Sequence, residues 1–365
     1  MSDRDDVTAV VMSAKRYPEN PYMQMLTRAL ERQGVDVEAP EIPVLFPLIR
    51  TALRHPDADL LHLDWLYEYY VTSEAGYEPV DRALTVARTA TFLLDILLVA
   101  LHPIAVVWTV HNKRHHEGKY PRLERTVNEL VFLTADAVTV KCRAAAEILA
   151  STYRVPSADG FHIVPDGSYL PAYENDVDIE EARAELSIDE DAFVFLFFGL
   201  VREYKGLPEL VDAFGRLDAD DAELWIVGNP HTERLRASLD VQADSVGDVE
   251  TVFTFVPEDR IQYYMNACDV FVLPYRDILN SGSAYLGLSY GKPVVAPAIG
   301  CLPETLPPSN PFLYDPDSPD GLRSALREAY DHPDLASVGR ANLEHAHEQN
   351  WDSAARRLAE MYRGL

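Results

Sequence analysis

The chain has 365 residues, enough for two α/β domains, because a single hydrophobic core stops growing beyond roughly 300 residues. It carries 32 Lys and Arg against 59 Asp and Glu, a formal charge of −27. An acidic surplus of this size argues against a nucleic-acid partner, and no run of about 18 apolar residues is present to cross a bilayer, so we expect a soluble protein.

The charge balance also indicates the environment. Only six of the 32 basic residues are lysines, and self-repulsion is tolerated where molar salt screens it within ~3 Å, so we expect a halophilic source. The start, Met1 to Asp6, is acidic and lacks the basic and apolar regions of a signal peptide, which predicts a cytoplasmic protein.

Strand and helix patterns alternate through the first half of the chain, as expected for a parallel sheet covered by helices. The predicted strands are Val7 to Ser13, Asp59 to Leu63, Ile104 to Val110 and Ala137 to Lys141, and the predicted helices are Tyr22 to Gln33, 81 to 101 and Tyr120 to Thr134. We assign residues 1–170 to a first domain.

A polar linker near 168–180 is followed by a second series of the same kind, which we assign to a domain at 171–349. The predicted strands are Phe193 to Phe198, Leu224 to Val227, Val252 to Phe255, Val270 to Leu273, Pro293 to Ala296 and Phe312 to Tyr314. A last helix, in 350–365, is expected to cross back to the first domain. The fold class is therefore α/β with two Rossmann-like domains.

The strongest chemical pattern is the segment Phe197 to Phe214, where a buried strand ends in Gly199 and a loop with Arg202 and Lys205 precedes a helix. Ligands of open α/β sheets lie beyond the carboxyl ends of strands, and two cations three residues apart there can face one diphosphate. The alternative is a pair of solvated surface cations.

A second pattern is the triplet Ser281, Gly282 and Ser283 before a short helix. The first amides of a helix, with its dipole, can hold an anion, and small residues allow close approach. An ordinary capping turn is the alternative. A further loop, Gly300 to Glu304, follows the next strand.

Together these segments resemble the donor-binding signatures of the GT-B glycosyltransferases of family 4. The family pattern FG-x-x-R-x-x-KG is similar to Phe198, Gly199, Arg202, Lys205 and Gly206. The family's IVG-x-G strand end is similar to the segment that contains Gly228, and its AD-x-x-x-x-PS strand is similar to Cys268 to Pro274. The resemblance covers most of 190–310 and implies two domains that face each other across a cleft.

The family resemblance implies that Arg202 and Lys205 grip the diphosphate of a nucleotide-sugar donor and act in catalysis. The sequence departs from the family pattern at one point. The usual pair of glutamates aligns with Ile278 and Leu286, so donor hydroxyls need other partners, for which Asp277, Asn280 and Glu304 are the neighbours.

In the first domain, Thr109 to Asn112 resembles the family's T-V-H-N strand end, which implies that His111 lies beside the transferred sugar. The alternative is a histidine that caps a turn. His111, His115 and His116 also have a spacing that would suit a metal, but the family resemblance implies neither metal nor other cofactor.

Acceptor binding is predicted from polar and aromatic residues after the first two strands. Tyr17 and Asn20 follow one, Asp64 and Trp65 follow the other, and aromatic rings can stack on sugars. Two Asp-x-Asp triplets, at 57–59 and 218–220, are interpreted as products of the acidic composition.

We therefore predict transfer of a sugar, with the retention that the resemblance implies, to a glycan or lipid-linked acceptor. The apolar segment Phe92 to Leu101 is a candidate membrane contact or, alternatively, a core helix. Rival functions are a sugar-nucleotide epimerase or phosphorylase of the same fold, or a degenerate subunit that binds without transfer.

Overall fold

The computed structural model describes residues 7–72, 78–114, 118–155 and 157–365. The chain divides into two compact units: Met1–Asp166 with Trp351–Leu365, and Gly167–Asn350. We call them the N-terminal and the C-terminal unit. The division falls close to the domain boundary that the sequence predicts after residue 170.

The N-terminal unit is built on six parallel strands in the order β2-β1-β3-β4-β5-β6. Strand order reverses beside β1, so the switch point lies between β1 and β3. The strands are β1 Val7–Val11, β2 Val35–Glu38, β3 Leu60–Leu63, β4 Ala105–Thr109, β5 Ala137–Val140 and β6 His162–Ile163. The helices are α1 Pro21–Arg32, α2 Pro47–Arg54, α3 Glu78–Val99, α4 Pro121–Thr134 and α5 Arg143–Thr152.

The C-terminal unit repeats this plan with strand order β12-β11-β10-β7-β8-β9. The strands are β7 Phe193–Phe198, β8 Ala222–Val227, β9 Val249–Val252, β10 Val270–Val272, β11 Val294–Pro297 and β12 Leu313–Tyr314. The helices are α6 Ile179–Leu186, α7 Leu207–Gly215, α8 Glu233–Val246, α9 Glu258–Ala267, α10 Gly282–Ser289, α11 Leu302–Thr305, α12 Gly321–Tyr330 and α13 Leu335–Glu348.

This second order is that of a doubly wound dinucleotide-type fold, with its switch point between β7 and β10. The apolar run of β7 forms its centre: Phe195 and Phe197 are fully buried. A central parallel strand is covered on both faces, which is why it reads as a continuous hydrophobic run. The predicted α/β class with two parallel sheets is confirmed.

The last helix, α14 at Trp351–Arg363, packs against α1 of the N-terminal unit. Arg32 and Asp352 form an ion pair across this contact at 2.7 Å. No helix within the described ranges has both the length and the apolar character needed to cross a membrane.

Candidate functional site

The carboxyl ends of β7 and β8 lie close together, and each is followed by a glycine with a positive φ. Gly199 and Gly228 have φ of +133° and +147°, and a Cβ at Gly228 would lie 1.8 Å from the carbonyl oxygen of Gly199. A Cβ at Gly199 would lie 3.6 Å from Oγ of Ser283. The two predicted donor segments are therefore adjacent in the fold.

Lys205 is the buried cation of this region, with 7% of its surface exposed. Its Nζ donates to the Tyr275 hydroxyl at 2.9 Å and lies 4.3 Å above the Tyr275 ring. Burial opposes the charge, but the neighbouring Tyr275 and Tyr204 hydroxyls and this hydrogen bond raise the pKa of Lys205 above its usual value. The amine therefore stays protonated at neutral pH.

Neither cation of the loop has an acidic partner. In the part of the chain that the structure describes, no carboxylate lies within 4 Å of the Lys205 amine or of the Arg202 guanidinium. An uncompensated buried charge costs several kcal/mol, so a region with two unpaired cations in a chain this acidic is suited to an anion.

The start of α10 completes the cluster. The Ser281 hydroxyl accepts from the amide of Ala284 and donates to the Tyr275 hydroxyl, both at 3.3 Å. Tyr275 thus joins Lys205 to the first turn of α10, where Gly282 and Ser283 supply amides that have no acceptor within the helix. These groups lie beyond the β7–β10 switch point, where ligands of this fold bind.

The remaining predicted donor residues lie on adjoining segments, Asn280 in the loop before α10 and Glu304 in α11. Gly300, at φ +53°, packs against the backbone of Ile278, because a Cβ there would lie 2.3 Å from the Ile278 carbonyl oxygen. The amide of Cys301 donates to the Leu279 carbonyl at 2.8 Å. These contacts hold the segment with the exposed Glu304 beside the segment with Asn280.

The two positions at which the sequence predicts that the family's glutamates are missing are part of the core. Ile278 and Leu286 are only 8% and 7% exposed and pack with the hydrophobic cluster of the C-terminal unit. Both side chains therefore have apolar surroundings.

In the N-terminal unit, His111 and Asp64 form a buried pair beyond β4 and β3. Nε2 of His111 lies 2.9 Å from Oδ1 of Asp64, whose side chain is fully buried. Burial alone would raise the pKa of Asp64, but the hydrogen bond from His111 and the charges of His62, His111 and Lys141 lower it. An ionised carboxylate only accepts, so Nε2 of His111 carries a proton, and in the neutral form of the ring Nδ1 has the lone pair.

Aromatic rings fix the orientation of the His111 ring. Trp65 stacks on it with centroids 4.9 Å apart, and Tyr22 meets it edge-on at the same distance. Tyr17 packs edge-on against Trp65 at 5.2 Å. The histidine is therefore held between rigid groups, as a catalytic side chain requires.

A second buried ion pair supports this cluster. Lys141 binds Asp166 at 2.6 Å, and its Nζ lies 3.3 Å from the Tyr22 hydroxyl and 4.7 Å from the Tyr22 ring. The Tyr22 hydroxyl in turn lies 3.4 Å from Oδ1 of Asp64. A continuous polar chain thus runs from Asp166 to His111.

A small pocket of about 40 Å³ opens beside this pair, lined by Asp64, Trp65, Tyr70, His111 and Asn128 among others. A site for one water molecule needs only about 10–15 Å³ of this kind of space, so the pocket is large enough for a water molecule or a hydroxyl group. Oδ2 of Asp64 is buried and has no hydrogen-bond partner in the described ranges, and it suits such a hydroxyl.

Two other predicted acceptor residues have contacts within the fold. The side chain of Asn20 accepts from the Tyr22 amide at 3.0 Å and so caps helix α1. The hydroxyl of Tyr17 donates to the carboxylate of Glu68, which also pairs with Arg16 at 3.3 Å. Burial raises the pKa of Glu68 to about 7, against the effect of Arg16.

The metal alternative falls partly outside the described residues, because His115 and His116 lie there. Among the residues that are described, no group of three or more His, Cys, Asp or Glu is arranged to hold a metal ion.

Comparison with known proteins relates the chain to one class of enzyme. Residues 192–332 match the family of glycosyl transferases group 1. The chain is 29% identical, over 84% of its length and 79% of the relative's, to a GDP-mannose:glycolipid 4-beta-D-mannosyltransferase of Xanthomonas campestris. A D-inositol 3-phosphate glycosyltransferase of Thermobispora bispora is 25% identical over 94% of this chain and 89% of its own.

Solved structures share the fold across the whole chain. The sucrose-phosphate synthase of Thermosynechococcus elongatus superimposes with a TM-score of 0.73 at 19% identity, covering 99% of both chains. Anabaena HepE, solved in complex with UDP, gives 0.71 at 16% identity, covering 99% of this chain and all of its own. This chain is a glycosyltransferase with the GT-B fold.

Sequence reasoning missed several residues that build the two clusters of this glycosyltransferase. Tyr275 links Lys205 to Ser281, and Tyr169 packs against α10, since a Cβ at Gly282 would lie 3.1 Å from its hydroxyl. In the N-terminal unit, Lys141 and Tyr22 complete the network of Asp64. A lysine at the end of β5, in a chain with six lysines, was the one available signal.

Proposed function

We propose that the C-terminal unit binds a nucleoside-diphosphate sugar through Arg202, Lys205 and the first amides of α10, and that the enzyme transfers the sugar to a glycan or lipid-linked acceptor bound by the N-terminal unit. The observation that carries the proposal is Lys205, a buried amine at a sheet's switch point with no carboxylate within 4 Å among the residues that the structure describes. A diphosphate supplies the missing negative charge.

The same groups serve the chemistry of transfer. As the glycosidic bond breaks, negative charge grows on the leaving diphosphate, and preorganised cations and amides stabilise that charge more than the ground state. Asn280 and Glu304 are proposed to bind donor hydroxyls in place of the family's glutamates. No metal or other cofactor is part of this proposal.

His111 is proposed as the group that takes the proton from the acceptor hydroxyl. Asp64 keeps the proton on Nε2, so Nδ1 is the basic atom, and the imidazolium formed on proton transfer is stabilised by the buried carboxylate. The small pocket beside His111 and Asp64 is large enough for an acceptor hydroxyl. Trp65 and Tyr17 offer rings on which the acceptor sugar can stack.

A positioned base bears on the stereochemistry. An inverting, single-displacement transfer needs a base at the acceptor hydroxyl, whereas the retention implied by the family resemblance has no such requirement. The pair of His111 and Asp64 would serve an inverting transfer, but the histidine also belongs to the T-V-H-N pattern on which the prediction of retention rests, so the pair is compatible with either configuration. The name of the Xanthomonas relative specifies a β-linked product for that enzyme.

The identity of the substrates is proposed from the relatives. GDP-mannose and a glycolipid stand in the name of one relative, and UDP-glucose was bound in a structural neighbour. We propose GDP-mannose as the first donor to test and a lipid-linked sugar as the acceptor. The acidic, lysine-poor composition supports a salt-rich cytoplasm as the setting.

The decisive experiment is a thermal-shift screen of nucleoside diphosphates and their sugars in molar potassium chloride, followed by product analysis. A ligand at ~100 times its Kd adds about 2.7 kcal/mol of stability. Release of free nucleoside diphosphate with a new glycoside supports transfer, and NMR of the anomeric proton gives its configuration. An epimerised sugar nucleotide or a sugar phosphate product would contradict transfer, and binding without turnover would indicate a non-catalytic subunit.

A further inference from the structure

Helix α3 of the N-terminal unit exposes an apolar face along its whole length. Its buried side is a stripe at three- and four-residue spacing that includes Thr85, Thr89, Phe92 and Ile96. The opposite side has the same spacing and is exposed at every position, and all of its residues are apolar: Ala83, Ala87, Ala90, Leu94 and Leu97, with Leu101 just after the end of the helix. Half of Leu94 and 86% of Leu101 are accessible.

This face is long and has apolar neighbours. Twenty-two helical residues extend about 33 Å at 1.5 Å per residue. The adjacent α2 is fixed to α3 by the buried carboxylate of Asp95, which accepts from the amides of Leu48 and Ile49 at 2.7 and 3.0 Å. Helix α2 and the loop before it add exposed apolar side chains at Val44, Leu45 and Leu53.

The charges on these elements differ in sign from those of the chain as a whole. About one residue in six of the chain is acidic, yet the sequence has no acid between Glu41 and Asp57, and between Asp81 and Leu101 it has only the buried Asp95. The exposed charged residues of α2 and of α3 beyond its first turn are arginines, Arg50, Arg54 and Arg82.

We propose that the exposed face of α3 with α2 docks on a phospholipid bilayer. In this arrangement α3 lies in the plane of the interface, its leucines enter the boundary between headgroups and acyl chains, and the arginines bind lipid phosphates. A continuous apolar face of this size on a soluble protein marks an interaction surface. The docking rests on the proposed function for its purpose, since it brings the enzyme to a lipid-linked acceptor.

A bilayer fits the charges better than a second copy of the chain. Association of two copies through this face would place Arg50, Arg54 and Arg82 against the same arginines of the other copy, whereas phospholipid phosphates give them anionic partners. The repulsion between the acidic remainder and an anionic membrane acts over a Debye length of only ~3 Å in molar salt.

The test is flotation of the full-length protein with vesicles of phosphatidylcholine and phosphatidylglycerol in molar potassium chloride. We expect the wild type to float with the vesicles and the double variant Leu94→Glu/Leu101→Glu to lose at least about ten-fold in partitioning, since charges on a helix face oppose insertion. The matched control is Val241→Glu/Phe255→Glu in the C-terminal unit, where both residues are over 70% exposed. It should float as the wild type does.

Three outcomes overturn the proposal: wild-type protein that stays with the soluble fraction, equal flotation of the Leu94/Leu101 variant, or equal loss in the control. Sedimentation velocity without lipid tests the other occupant, because a wild-type dimer that the Leu94/Leu101 variant dissociates would assign the face to a second copy. Calorimetric titration with nucleoside diphosphate, also without lipid, measures the donor site alone. Failure of docking and failure of the proposed function are thus separate results.

Discussion

The His111 imidazole donates from Nε2 to the buried Asp64 carboxylate over 2.9 Å, between the rings of Trp65 and Tyr22. If His111 takes the acceptor proton and Asp64 positions it, His111→Ala should lower kcat by roughly 10²-fold or more, in the range of general base catalysis. Donor affinity, measured by calorimetry, should change little, because the donor is proposed to bind the C-terminal unit.

Asp64 acts through His111 in this scheme, so the two substitutions should not add. Asp64→Asn keeps the shape of the side chain but removes its charge, and it should also lower kcat, while the double variant should be no slower than His111→Ala alone. Steady-state rates of the four proteins complete the cycle. Additive losses in the double variant would show that Asp64 acts separately from His111.

The buried amine of Lys205 gives the second prediction. Charge-assisted hydrogen bonds contribute ~1.5 to 3 kcal/mol, so Lys205→Met or Arg202→Ala should weaken nucleoside-diphosphate binding by roughly 10- to 150-fold. The nucleoside without phosphates should bind wild type and variants equally, because it offers no charge to the cations. Calorimetry in molar salt measures both ligands.

Lys292 is the matched control for Lys205, because its Nζ donates to the carbonyls of Asn266 and Cys268, at 3.1 and 2.8 Å, rather than to the Tyr275 cluster. Lys292→Met should leave diphosphate affinity as it is. Equal nucleoside-diphosphate affinity in wild type and Lys205→Met would show that the diphosphate does not bind at Lys205.

Local sequence predicted the cluster around Lys205 better than the network around His111. Gly199, Arg202 and Lys205 all follow one strand, and parallel strands bring their carboxyl ends to one edge, so the proximity of Gly199 to Ser283 follows from the order of strands. Tyr275 is 70 positions from Lys205, and only tertiary packing brings the two together.

In the N-terminal unit too, contacts between residues far apart in the sequence could not be predicted. Lys141 and Tyr22 are 119 positions apart, and no motif joins them. Asn20 could have been interpreted more accurately, because an Asn directly before Pro21 at the start of an apolar-periodic helix is a capping pattern. Its predicted role in acceptor binding has no support in its contact with the Tyr22 amide.

The close approach of the backbone just after β7 and β8 gives a third prediction, on stability. At Gly228→Ala the new Cβ would lie 1.8 Å from the Gly199 carbonyl oxygen, so one strand end must shift and we expect several kcal/mol of destabilisation with loss of donor binding. Gly247→Ala is the control, since Gly247 also has a positive φ of +76° but nothing within 4 Å of a Cβ. It should cost only about 1 kcal/mol. Equal decreases of the urea midpoint in Gly228→Ala and Gly247→Ala, relative to the wild type, would contradict this explanation.

Buried His62 gives the last prediction, on pH. Its ring is bonded to Thr109 at 2.7 Å and to the Tyr362 hydroxyl of α14, and burial lowers its pKa from 6.5 to about 4. The unfolded chain therefore takes up a proton below pH 6.5 that the native chain does not take up until about pH 4. Stability falls as pH decreases through this window, by roughly 2 kcal/mol between pH 7 and 5 from this group alone.

Glu68 acts in the opposite direction, because its raised pKa of about 7 makes the native state bind a proton more readily between pH 7 and 4.5. The wild-type curve alone therefore does not isolate His62, and the comparison needs His62→Gln, whose amide cannot titrate. We expect this variant to be less stable at pH 7, since it loses fitted hydrogen bonds, but to lose about 2 kcal/mol less than the wild type on going to pH 5. Urea unfolding of both proteins in molar salt at the two pH values provides the measurement, and parallel losses would mean that His62 titrates alike in the native and unfolded chains.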